Sequence, residues 1–232
     1  MTNLLIRLFV KDYQDVENHT VRERYGKFAG IVGIATNILL FCIKIFAGIV
    51  FHSVAIVADA VNNLSDSASS VVTLVGFKLS AKPADKEHPY GHARIEYISG
   101  LIVSLVILLL GFQLAQSSVG KILHPEESET SLVAVGILVG SVLIKLWQFL
   151  FYRTVGRRIS STTLEATAAD SRNDVFSTVA ILIGMGITWL TSYNLDGWMG
   201  LIVALLIVVG GVQLIMETSN PLLGVAPTEE LV

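Results

Sequence analysis

Asp170 and Asp174 lie four residues apart inside an apolar run from Leu164 to Leu190. On a helix that spacing stacks the two carboxyl groups on one face, one turn above the other. An ionised carboxylate is expensive in lipid, so acids inside a spanning helix point first to function. Arg172 stands two residues from each, roughly 200° round the helix by the 3.6-residue period, and cannot neutralise both. The bland reading, snorkelling carboxylates or a pair with Arg172, leaves a second polar pair unexplained. That pair is Asn62 and Asp66, also four apart, within Ala58-Asp59-Ala60-Val61-Asn62-Asn63-Leu64-Ser65-Asp66. Both pairs fall near the middle of their runs, so they can face each other and offer four oxygen donors. A divalent cation held there offsets the cost of burying three carboxylates. The competing structural reading is a protonated acid cluster that holds two helices together by hydrogen bonds.

Helices must carry these groups, and the composition supplies them. The chain has 232 residues, of which 53% are hydrophobic and only 15% charged, with mean hydropathy +0.67. That balance predicts an all-α, polytopic membrane protein with no sizeable soluble domain. Six runs are long enough to span: Phe28–Phe51, Ser53–Leu79, Ile95–Ile122, Leu132–Phe151, Thr163–Thr191 and Trp198–Met216. The second and fifth are the most polar, as suits helices shielded by the others. Basic residues collect in alternate connections: Arg7, Lys11, Arg22, Arg24 and Lys27 before the first run, Lys78, Lys82, Lys86 and Arg94 between the second and third, Arg153, Arg157 and Arg158 between the fourth and fifth. The opposite set holds only Lys121, beside Glu126, Glu127 and Glu129. The positive-inside rule therefore predicts six transmembrane helices with both termini cytoplasmic, in the cell membrane. Residues 1–27 read as a cytosolic N-terminal segment, 28–218 as the six-helix transport domain and 219–232 as a tail.

The single cysteine, Cys42, excludes a disulfide framework and a thiolate metal site. Lys44 and Lys145 stand inside apolar runs, as snorkelling stems or as partners to an acid. Asp59, seven residues before Asp66, reads as lining a release vestibule or as a helix-end polar contact. Glu165 and Ser171 are placed on the cytosolic approach, or on a solvated helix end. His19, His52 and His124 are isolated and read as surface residues. The Gly30/Gly33 and Gly184/Gly186 groups read as close helix packing, and Trp147, Trp189 and Trp198 as an interfacial belt.

The run from Ser53 to Asp66 resembles the second helix of the cation diffusion facilitator family. The loop Pro83-Ala84-Asp85-Lys86-Glu87-His88-Pro89-Tyr90-Gly91-His92-Ala93-Arg94-Ile95-Glu96 is similar to that family's connection between helices two and three, and Asp170 with Asp174 completes the match. The resemblance implies a dimeric exporter of divalent metals in exchange for protons, not an enzyme, with lipid as its surroundings and no nucleic acid as partner. By position its transport site is Asn62, Asp66, Asp170 and Asp174. Zinc members typically carry His where Asp170 stands and Asp or His where Asn62 stands. Four oxygen donors suit a harder cation, and ligand chemistry alone equally admits Mg²⁺ or Ca²⁺. The resemblance tilts the choice to Mn²⁺, because the manganese branch carries this set; Zn²⁺ export is the alternative, with Fe²⁺, Co²⁺ or Cd²⁺ as further passengers.

Asp85, His88 and His92 form a candidate second metal site in the cytoplasmic loop, with mixed N/O ligation that suits Zn²⁺ or another transition metal. The other reading is an exposed polar loop with incidental histidines. The resemblance also implies a cytosolic α/β domain after the sixth helix. The chain stops at Pro227-Thr228-Glu229-Glu230-Leu231-Val232, about where that domain would begin. The expectation is therefore of the membrane part alone, dimerising through membrane contacts that involve the third helix. An intramembrane aspartyl protease and a passive cation channel are the readings from other classes. The first gives Asn62 and the third aspartate no task.

Overall fold

The computed structural model describes residues 19–80, 94–124, 131–191 and 194–223, with residues 6, 9, 10, 13–15 and 89 outside those stretches. Six helices follow in order: α1 (His19–Val50), α2 (Val54–Ser80), α3 (Arg94–Leu123), α4 (Leu132–Ile159), α5 (Thr162–Thr191) and α6 (Asp196–Leu223). All regular structure among the described residues is helical. Each helix matches one of the six apolar runs. The largest boundary differences are at α1, which begins at His19 rather than Phe28, and at α4, which continues from Phe151 to Ile159 through Arg153, Arg157 and Arg158. Helical hydrogen bonding does not stop where apolarity stops, and basic residues in a last turn complement the helix dipole.

Five helices are long and apolar enough to cross a membrane, and the protein is a multi-pass membrane protein. The helix outside that set is α2, long enough at 27 residues but interrupted by Asp59, Asn62, Asn63 and Asp66. Large apolar side chains on α1, α3, α4 and α6, such as Phe46, Leu109, Leu143 and Leu205, face outward. A face of that kind suits hydrocarbon rather than water.

Three pairings dominate the packing: α3 along α6, α4 along α5, and α1 along α2. Two of them are helical hairpins with very short turns. At the first, Phe51 and His52 lead into α2, and His52 takes φ 50°. Gly48 is needed beside it, because a Cβ there would stand 2.9 Å from the Val57 backbone nitrogen. At the second, Ser160 takes the left-handed conformation as the C-cap of α4, and the Ser161 N–H donates to the Gly156 carbonyl at 2.9 Å. Hairpin geometry then fixes which residues are level. Lys145 and Asp174 both lie about 20–23 Å from the Ser160 turn at 1.5 Å per residue. Lys44 and Asp59 both lie about 11 Å from the His52 turn by the same count.

Ala55, Ala58, Val61, Leu138, Ile181 and Ala204 belong to the core in the half of the bundle nearer His52. A second core at the Ser160 end joins Ile6, Val10, Tyr25, Phe151, Val155 and Leu164. Trp147 belongs to this packing, stacked on Phe151 with ring centroids 5.5 Å apart, in the middle of α4. It is therefore not part of an interfacial belt; Trp189 and Trp198 are exposed near helix ends. Gly33 is a close-approach site, since the Tyr152 hydroxyl occupies the place of its Cβ. Gly186 has open space where a side chain would be, so the packing expectation fails there.

Candidate functional site

The α4–α5 hairpin and α2 bring three of the four expected residues into contact. Asn62 Nδ2 on α2 donates to Asp174 Oδ1 on α5 at 2.7 Å. Lys145 on α4 reaches both acids, with Nζ 2.6 Å from Asp174 Oδ2 and 3.1 Å from Asp66 Oδ2. Asp170, one turn nearer the Ser160 end, lines the same cavity and is exposed to it. The cavity holds about 520 Å³ and has Asp66, Asp170, Asp174 and Lys145 in its wall. Gly26, Gly30, Ser161, Thr163 and Thr167 continue the lining to the Ser160 end. A hydrated cation can thus approach along hydroxyl and backbone groups and meet Asp170 before the inner acids.

Ser171 is buried, not on a solvated helix end, and lines this cavity. Glu165 does not; its chain packs where a Cβ of Gly156 would stand. Arg172 is exposed, and Asp174 takes its cation from α4 instead. A second cavity of about 310 Å³ touches Asn62 and Asp66 from the other side of α2, against Ile207, Gly210, Gln213 and Glu217 of α6.

Towards the His52 end the site is closed. Lys44 Nζ lies 2.7 Å from Asp59 Oδ2, with the two side chains 0% and 1% exposed. The Thr178 hydroxyl donates to Asp59 at 3.1 Å and receives from Lys44 at 3.4 Å, which ties α1, α2 and α5 together. Asp59 is therefore neither a vestibule residue nor a helix-end contact: it is one half of a fully buried ion pair. Nearer the end, Asp196 in the first turn of α6 accepts from Lys121 at 2.9 Å, from the Val54 N–H at 2.8 Å and from the Ser53 hydroxyl. His52 and His124, far apart in sequence, line one cavity there with Lys121. Both are exposed, as surface residues are.

Asp85, His88 and His92 lie outside the described residues. Among the described residues no cluster of three His, Cys, Asp or Glu side chains meets a metal-site arrangement. At the centre the Lys145 ammonium pairs with both Asp66 and Asp174. Thr178, Asn37 and Gln148 were not singled out from sequence. For Gln148 a signal was present in the stripe Ser141, Lys145, Gln148, Tyr152, spaced four, three and four along α4, a helical period running through an apolar segment.

A model of the cation efflux transmembrane domain matches residues 30–223. The chain belongs to the cation efflux family. This is the cation diffusion facilitator resemblance carried by the helix motifs, and members of the family are transporters of divalent metal cations, not enzymes. A transporter of Methanocaldococcus jannaschii is 31% identical over 200 residues, covering 86% of this chain and 71% of that protein. Manganese efflux system protein MneS of Bacillus subtilis is 33% identical over 168 residues, 70% of this chain and 58% of its own length. Cation-efflux pump FieF of Salmonella arizonae is 29% identical over 206 residues, 88% and 69% respectively. The chain thus spans little more than half of MneS.

Proposed function

We propose that this chain is the transport domain of a divalent cation exporter, with Mn²⁺ as its substrate and protons as the counter-ion. The observation that carries the proposal is the hydrogen bond of Asn62 to Asp174 beside a cavity whose wall holds Asp66, Asp170 and Asp174 together. In this reading the four residues bind the metal through oxygen alone. Oxygen donors without imidazole favour Mn²⁺ over the softer Zn²⁺, and similarity to MneS supports that choice. Zn²⁺ is the competing substrate, in keeping with the breadth of the family.

Six spans, α2 included, cross the cell membrane, and the Ser160 end faces the cytoplasm. The basic residues Arg153, Arg157 and Arg158 beside that end favour this orientation, which puts both termini inside. The cavity then opens inward, while the Lys44–Asp59–Thr178 cluster seals the path outward. Alternating access requires that seal to part as the inner cavity closes. Protons reload the acids in the outward-facing state and expel the metal. The protein works as a homodimer through membrane contacts, and Asp85, His88 and His92 bind a second metal in the cytoplasmic loop.

Two measurements test substrate and coupling. In proteoliposomes an imposed pH gradient, acidic on the side to which metal is delivered, is expected to accelerate Mn²⁺ flux several-fold; flux indifferent to the gradient would remove proton exchange from the mechanism. In competition among metals, Asp170→His is expected to shift preference towards Zn²⁺ by about tenfold, since an imidazole replaces a hard oxygen donor. Unchanged selectivity in that variant and in Asn62→Asp would place selection elsewhere.

A further inference from the structure

Lys145 is the feature the transport reading leaves unused. Its side chain is 1% exposed, reaches the site from α4, and bridges the two acids on α2 and α5 that the metal needs. A lysine introduced only to hold helices together would have no need to sit at the end of the cavity through which the cation enters. We propose that the Lys145 ammonium is a tethered competitor for the metal position: it fills the site when metal is absent and is displaced, still charged, when metal binds. The inference rests on the proposed transport site and adds to it a residue that sets affinity and release.

Three observations carry it. First, α2 and α5 meet over a short stretch, and there the α4 ammonium holds an acid of each, beside the Asn62–Asp174 hydrogen bond. Without Lys145, Asp66 and Asp174 would face each other with no cation between them, a repulsive arrangement in a medium of low dielectric. Second, the ammonium and a divalent ion would use the same oxygen, Asp174 Oδ2, so both cannot be seated at once. Third, the displaced ammonium has somewhere to go. Gln148 lies three residues along on the same face of α4, buried, and its Oε1 has no partner among the described residues. Its amide nitrogen donates at 3.4 Å to Asn37 Oδ1 on α1, in the wall of the same cavity. Residues three apart on a helix are neighbours, so a change of lysine rotamer would carry Nζ from the acids towards the partnerless Gln148 Oε1. Metal binding would then be an exchange of one cation for another, and the returning ammonium would help to drive release.

The test is Mn²⁺ binding to the purified protein in detergent, by titration calorimetry, on the wild type, Lys145→Met and Lys145→Arg. Methionine keeps an unbranched apolar stem and removes the competing charge. It is expected to tighten Mn²⁺ binding about tenfold, the order typical of coupling between two ligands, and to slow turnover in proteoliposomes at saturating Mn²⁺. Arginine, whose planar fork matches two carboxylate oxygens better, is expected to weaken binding. Opposite shifts in the two variants support the tethered competitor. Unchanged or weaker binding in a monodisperse Lys145→Met protein overturns it and leaves Lys145 as a structural bridge. If Lys145→Met does not fold, the arginine variant decides, and wild-type affinity there overturns the proposal. The site reading is checked separately with Asp66→Asn in the wild-type background: Mn²⁺ affinity untouched by that change means the metal does not bind here, and both readings fall together.

Discussion

Asp174→Asn is expected to lower Mn²⁺ transport in proteoliposomes by about 100-fold or more, since even outer partners of a metal ligand are worth 10–100-fold in affinity. The residue is at the centre of the contacts: one oxygen accepts from Asn62 and the other from Lys145. Asparagine keeps the volume and still reaches Asn62, so the helices should remain packed, but it removes a charge from the cation position. The predicted signature is a folded protein with the wild-type elution profile, lost Mn²⁺ binding and background flux. Asp66→Asn should behave likewise. Asp170→Asn should lose less, because Asp170 stands exposed one turn nearer the cavity mouth and touches none of the other three. Near wild-type rates in Asp174→Asn would remove it from the transport site.

The second large effect belongs to the buried pair on the closed side. Lys44→Met leaves the Asp59 carboxylate buried with only the Thr178 hydroxyl beside it. Removing one member of a buried ion pair costs about 3–5 kcal/mol, because the remaining charge has neither solvent nor partner. The expected result is a marked fall in thermal stability in detergent. The double variant Lys44→Met/Asp59→Leu should recover most of it, since two apolar groups leave no orphaned charge. If the pair is also the outer seal, the double variant will be stable yet altered in transport, with the seal no longer dependent on charge. A single variant as stable as the wild type would mean that the two groups do not depend on each other.

Much of the helical framework was legible in the sequence because lipid leaves few choices. Backbone groups in hydrocarbon must be satisfied within the segment, so each long apolar run becomes a helix, and all six runs did. The polar pairs Asn62/Asp66 and Asp170/Asp174 were legible for the same reason: such residues are costly there and stand out. Their alignment on one face follows from the helical period alone. Boundaries were less legible at α4, whose hydrogen bonding runs on past the apolar segment.

What the sequence could not decide was which charge meets which. Lys44, Asp59, Lys145 and Asp66 are all visible as charges in apolar runs, yet pairing depends on rotation and depth of neighbouring helices. The two tight turns at His52 and Ser160 set that depth and bring Lys44 level with Asp59 and Lys145 level with Asp174. Only then does Asp59 leave the release vestibule for a buried ion pair and Lys145 join the central acids. The sequence by itself determined that carboxylates would lie in the middle of a helical membrane domain. Tertiary structure decided that a lysine from a third helix stands among them, because a buried charge is settled by its nearest opposite charge in space, not along the chain.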